Sequence, residues 1–143
     1  MRHLALLIAT TTLCLNVWAG DGPPDPRGRW VTASGNLEVE IAPCGPAWCG
    51  TATKVLANRS MSPGSDDAMK PVDPRPALGM KILIDFLPDA DDAGHWHGQI
   101  YNRENGKTYR CQMSLGAAGE LVLRPYVGLP LFGRTQVWQR VQP

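Results

Sequence analysis

The chain predicts an all-β fold, a small antiparallel barrel of roughly eight strands. Short runs rich in β-branched and aromatic residues recur, with turn residues punctuating them at the spacing of a barrel or sandwich. No internal stretch sustains the apolar period of about 3.6 residues that marks an amphipathic helix. Gly28-Arg29-Trp30 and the run Arg134–Val141 supply a first and a last strand suited to a sheet closed on itself. Closure removes the exposed edges that an open sheet must protect.

The N-terminus indicates the compartment. Arg2 and His3 precede an apolar run, Leu4 to Leu15, and Val17-Trp18-Ala19 ends in the small residue that a signal peptidase accepts. The run is too short to span a bilayer as a helix, so residues 1–19 read as a cleaved secretory signal with the cut after Ala19. A lipoprotein anchor at Cys14 fits poorly, because Leu13 stands where a small residue is required. Gly20-Asp21-Gly22-Pro23-Pro24-Asp25-Pro26 makes 20–27 a flexible linker, and 28–143 forms one domain. No other stretch approaches membrane-spanning length, so the mature protein is expected to lack a transmembrane segment and to be periplasmic or secreted. Of 14 Lys and Arg, Arg2 leaves with the signal, and the rest balance the 13 Asp and Glu. The basic residues are scattered singly, without the stripe that a phosphate backbone attracts, so nucleic acid is not an expected partner. A monomer is expected.

Taken in order, Arg29–Ala33 opens the sheet. Leu37, Val39 and Ile41 alternate with Glu38 and Glu40, the signature of a half-buried strand. Pro43 and the Cys44–Cys49 segment turn the chain, and Thr51 to Leu56 runs back. Met80–Leu87 is the strongest strand, ended by Pro88 and a turn over Asp89–Gly94. His95–Asn102, Lys107–Leu115, Glu120–Tyr126 and Arg134–Val141 complete the set. Asn105-Gly106 is the preferred dipeptide for a two-residue type I′ turn, which would face Ile100 with Cys111, Gly98 with Met113 and Trp96 with Leu115. Those pairs gather the apolar residues on one face and put His97, Gln99 and Tyr101 on the other. Along the last strand, parity leaves two faces open. Val137 and Val141 share one; Trp138 shares the other with Arg134, Gln136 and Arg140. An arginine stacked on Trp138 would reconcile an inward tryptophan with its charged neighbours.

The segment Ala57 to Ala77 breaks this rhythm. It is polar and proline-rich, and a loop of such length in a small domain is either a functional lid or plain disorder. Pro74-Arg75-Pro76 holds its end extended.

Several of these features together resemble one bacterial family. They are Cys44-Gly45 with Cys49-Gly50, Arg75-Pro76-Ala77-Leu78-Gly79 before Ile82-Leu83, and Ile100-Tyr101 with Gly106-Lys107-Thr108-Tyr109. Above all they are Tyr126-Val127-Gly128 and Gly133-Arg134-Thr135-Gln136-Val137-Trp138. The chain is similar to the exported family of unknown function called DUF2147, and the likeness covers essentially all of the mature sequence. The resemblance implies a lipocalin-like (calycin) barrel, secreted or periplasmic, and carries over no catalytic residue. Lipocalins open with Gly-x-Trp and pack that tryptophan under an arginine of the last strand. Gly28-Arg29-Trp30 resembles that opening, with Arg134 or Arg140 as the partner of Trp30, and Trp138 is expected to join them in closing the barrel.

Cys44 and Cys49 flank a tight Gly-Pro-containing turn in a chain read as exported, so a structural disulfide is expected, stabilising by only about 2 kcal/mol. Cys44 to Cys49 superficially resembles a thioredoxin site, but that chemistry needs two cysteines with two residues between them at a helix start. Cys111 alternates with Tyr109, Met113 and Leu115 and reads as a buried apolar side chain. No Gly-x-Ser-x-Gly elbow or His-Glu-x-x-His helix is present. Outside the signal, the histidines are His95 and His97, which leaves little material for a triad. Those two share a strand face at the spacing of a partial metal site, but a third ligand is missing, and no metal or cofactor is expected. Asp89–Gly94 resembles a calcium loop, yet Ala93 occupies a ligand position and Ile100 stands where a glutamate is needed.

The expected function is non-catalytic binding of a small, largely apolar ligand. An eight-stranded barrel is just wide enough to hold one small molecule or to be filled by its own side chains. Leu37, Val39, Ile41, Ile82, Ile84, Phe86, Ile100, Met113, Leu121 and Leu123 are the inward candidates. Arg75 on the long loop is expected to orient the ligand, and Trp96 to line the mouth. The alternative is an envelope-associated scaffold that acts through its loops, which an exposed apolar patch at Leu129, Leu131 and Phe132 would favour. Processing and redox state are testable together. Intact-mass analysis of the exported, non-reduced protein should show a chain beginning near Gly20 with one Cys44–Cys49 bridge and one slowly alkylated thiol at Cys111. Three freely alkylated thiols would contradict it.

Overall fold

The structure, a computed structural model that describes residues 22–143, contains β1 (Gly28–Val31), β2 (Leu37–Cys44), β3 (Ala47–Val55), β4 (Lys81–Pro88), β5 (His95–Asn102), β6 (Lys107–Leu115), β7 (Leu121–Tyr126) and β8 (Gln136–Arg140). The proposed signal, residues 1–19, lies outside the described residues. Each strand pairs antiparallel with the next, and β8 pairs with β1 through Trp30↔Arg140 and Val31↔Gln139, so the sheet is a closed barrel.

Alternation decides which side chains fill it. Along β2, Leu37, Val39 and Ile41 are buried while Glu40 is exposed; along β6, Cys111 and Met113 are buried. Trp30, Phe86, Leu121 and Leu123 complete the centre. Cys111 is the free cysteine of the described residues, and burial pushes its thiol up to about 12. β4 departs from the expected alternation. Leu83 is buried and Ile84 is only half-buried, so the inward place expected of Ile84 belongs to Leu83. The cause is a bulge: Asp85 adopts φ 50°, and the register with β5 shifts between Ile84 and Leu87.

The β5–β6 hairpin keeps the expected faces and changes the expected register. Asn102 pairs with Lys107, Ile100 with Tyr109, Gly98 with Cys111 and Trp96 with Met113. The turn therefore holds four residues, Arg103 to Gly106, rather than the two of a type I′ turn. The Asn102 side chain explains this, because its Oδ1 accepts the backbone N–H of Glu104 at 2.9 Å and of Asn105 at 3.4 Å. That side chain caps a wider loop, and Gly106 closes it at φ 71°. A shift of an even number of residues leaves every side chain on its own face. His97 accordingly stays outside and Met113 inside.

Antiparallel order sorts the connections between two ends. One end collects the β2–β3, β4–β5 and β6–β7 turns, together with both described chain termini. There Cys44 and Cys49 form a disulfide with Cα atoms 5.7 Å apart across the β2–β3 turn. The other end collects the β1–β2 turn, the loop from Leu56 to Met80, the β5–β6 turn and the β7–β8 connection. On β8, Trp138 points inward at 1% exposure, and Val137 outward at 41%. Trp138→Ala should therefore cost about 3–5 kcal/mol in chemical denaturation, and Val137→Thr about 0.5 kcal/mol or less. Comparable losses for the two would contradict the inward face.

Candidate functional site

The barrel is filled at one end and open at the other. Near the filled end, the Trp30 ring lies under the Arg140 guanidinium, 4.1 Å from centroid to Cζ, and Trp30 Nε1 donates to the Pro26 carbonyl at 3.0 Å. Arg140 Nη1 also donates to the Arg27 carbonyl at 3.0 Å. Gly28 makes room for this stack, since a Cβ there would lie 2.5 Å from Arg140 Nη1. The arginine over Trp30 is thus Arg140. Arg134 sits at the opposite end, and the stacked ring is that of Trp30, not Trp138.

At the open end a cavity of about 430 Å³ enters the barrel. Small-molecule sites run roughly from 300 to 1,000 Å³. Its floor is Leu37, Ile82, Ile100 and Trp138, residues of four strands that the barrel brings together. Tyr101, Tyr109 and Tyr126 form part of the wall, and Val127 and Phe132 of the β7–β8 connection continue it outward. Met61 and Met69 reach in from the long loop, and Arg103 and Arg134 stand at the lining with Asn36 and Gln136. Trp138 Nε1 donates to Gln136 Oε1 at 3.2 Å.

The long loop is held to the rim by polar groups with defined partners. Asn36 is buried; its Nδ2 donates to the Arg59 carbonyl and its Oδ1 accepts the Arg59 N–H, both at 2.8 Å. Glu104 accepts from Ser60 Oγ at 2.6 Å and from the Met61 N–H at 2.7 Å. Buried polar atoms demand such partners, so these contacts fix where the loop lies. The loop thereby forms one wall of the cavity, with Met69 buried beneath it.

Two expected ligand-binding residues are placed elsewhere. Arg75 makes a bidentate pair with Asp73, its Nη2 2.5 Å from Oδ2, and lies 5.9 Å from the Tyr101 ring centroid. It is not among the cavity-lining residues. Trp96 is buried near the start of β5, at the filled end, and the cavity tryptophan is Trp138. His95 and His97 face outward, paired with Asp92 at 3.1 Å and Asp89 at 2.6 Å. Among the described residues, the grouping with metal-ligand spacing is Cys44, Cys49 and Asp85, in which the sulfurs are already bonded to each other. Sequence reasoning missed Arg103, Met61 and Met69 as lining residues. The two methionines were the available signal, being apolar side chains within an otherwise polar loop.

Asp73 anchors the loop near Tyr101. Hydrogen bonds from the Arg75 side chain first, and from the Tyr101 hydroxyl at 2.6 Å, hold its carboxyl well below the usual range. The same carboxylate raises the Arg75 and Tyr101 values. A depressed folded value contributes stability that is complete above the unfolded value of about 3.9 and is lost as pH falls through the folded one. The stability gap between the protein and Asp73→Asn should hold steady above about pH 5 and close as pH is lowered from there. Denaturation midpoints across pH check this, and a gap that widens in acid would contradict it.

Comparisons with known proteins agree with this architecture. A family model described as "uncharacterized protein conserved in bacteria (DUF2147)" matches residues 28–140. Curated protein sequences give no significant match. Among solved structures, the chain is similar to protein HP1028 from the human pathogen Helicobacter pylori, which is described as belonging to the lipocalin family. The TM-score is 0.58 at 19% identity, over 83% of this chain and 84% of that one, a likeness of fold. The family model spans all eight strands of the closed barrel, and this chain belongs to the DUF2147 family.

Proposed function

We propose that the protein binds one small, largely apolar molecule in the mouth cavity, without covalent chemistry, after export from the cytoplasm. The observation that carries this reading is the cavity, floored by apolar side chains and reaching Trp138 inside the barrel. Polar side chains such as Asn36, Gln136 and the two arginines stand in the lining, where they can orient a ligand. Among the described residues, the lining holds no carboxylate, histidine or cysteine; its ionisable side chains are three tyrosines and two arginines, and this supports binding over turnover. The Cys44–Cys49 bridge supports action outside the reducing cytoplasm, in the periplasm or beyond the cell.

A second reading has its own observation. Val127, Leu129, Leu131 and Phe132 are exposed by 60–78%, an apolar surface continuous with the mouth. Such a surface supports a scaffold that meets a partner through the β7–β8 connection. Titration with the neutral dye N-phenylnaphthylamine separates the two. The cavity reading expects saturable binding with one dye per chain and quenching of tryptophan emission that Trp138→Phe diminishes. Absence of saturable binding, with the fold intact, would remove the cavity reading and leave the scaffold.

A further inference from the structure

Two arginines border the cavity without an acidic partner. Arg103, in the β5–β6 turn, is half-buried; its Nη1 lies 3.2 Å from the Met69 sulfur. Its Nε is buried and has no hydrogen-bond partner among the described residues. A thioether is a weak acceptor, so the guanidinium is held in place without being satisfied. Arg134, on the connection into β8, is exposed, and neither arginine enters an ion pair among the described residues. The neighbouring carboxylates are committed elsewhere. Glu104 binds Ser60 and Met61, and Asp73 binds Arg75 and Tyr101. The lining thus has a direction: aliphatic and aromatic in its depth at Ile82, Ile100 and Trp138, cationic at Arg103 and Arg134.

A wholly apolar ligand would remove water from the guanidinium N–H groups at the cavity lining, at a cost for each donor left unmatched. A ligand with an anionic head would meet those donors with charge-assisted hydrogen bonds, for which the guanidinium fork is suited. Resting on the cavity reading above, we propose that the ligand is an amphiphile. Its apolar body lies against Ile82, Ile100 and Trp138, and its carboxylate or phosphate head is held by Arg103 and Arg134.

Isothermal titration calorimetry with decanoate, decyl phosphate and decanol tests this, since the three share one apolar chain and differ in the head. At least one anion is expected to bind about tenfold or more tighter than decanol, and the tighter anion identifies the head. Arg103→Gln and Arg134→Gln should each reduce that preference, through a loss of anion affinity larger than any change in decanol affinity. Arg134 is exposed, so its variant keeps the test readable if Arg103→Gln fails to fold. Equal binding of decanol and both anions, or a preference that survives the double variant, would overturn the anionic head and leave the cavity reading standing. Failure of all three probes to bind would overturn the cavity reading, and this inference with it.

Discussion

The barrel depends on its seam, where β1 and β8 meet over only a few residues. A short ladder leaves both strands close to being edges, and exposed edges invite pairing with other chains. The side chains add what the ladder lacks. The Arg140 guanidinium caps the Trp30 face, Trp30 donates to the Pro26 carbonyl, and Arg140 reaches the Arg27 carbonyl. Segments at the two ends of the described chain are tied by one arginine and one indole, in a stack that is worth most where water is partly excluded. Gly28 is part of the device, because any larger residue would displace the guanidinium.

The same stack gives the barrel its polarity. Trp30, Phe86 and their neighbours leave little space in the filled half, and the turns around them are short. At the other end two connections are longer, the long loop and the β7–β8 connection, and together with the β5–β6 turn they bring apolar or cationic side chains to the cavity. The cavity exists because the filling stops partway, at Ile82, Ile100 and Trp138. A packed half thus supports an open half, and packed support favours a preorganised pocket.

The strands, their order and the burial pattern of most of them were legible in the sequence, because a period of two survives any amount of noise in the turns. The Cys44–Cys49 bridge was legible too, being local. What escaped had non-local or side-chain causes. Asn105-Gly106 signals a tight turn, but Asn102 offers two backbone donors a partner and so selects a wider one. In β4, a single residue at positive φ exchanges Ile84 for Leu83, and nothing in Ile82-Leu83-Ile84-Asp85 marks which residue will bulge. Trp138 could be placed only once its cross-strand neighbour was known to be the buried Leu121. The candidate site was least legible of all. Met61, Arg103, Phe132 and Arg134 come from three connections that only closure brings to one mouth.

Closure also leaves the two described ends of the chain side by side. The Val141 N–H donates to the Arg29 carbonyl at 2.9 Å, and Arg140 touches Arg27 across 113 residues of sequence. Every other strand pairing joins sequence neighbours, so this seam is the one contact whose formation must wait for the whole chain to be gathered. A short peptide joining the last residues to Pro26, with new termini opened in the Asp89–Gly94 turn, would make the seam an ordinary hairpin. The loop-closure entropy would move to another strand pair. Such a circular permutant would keep the open mouth far from both new ends, because the Asp89–Gly94 turn lies at the filled end as well.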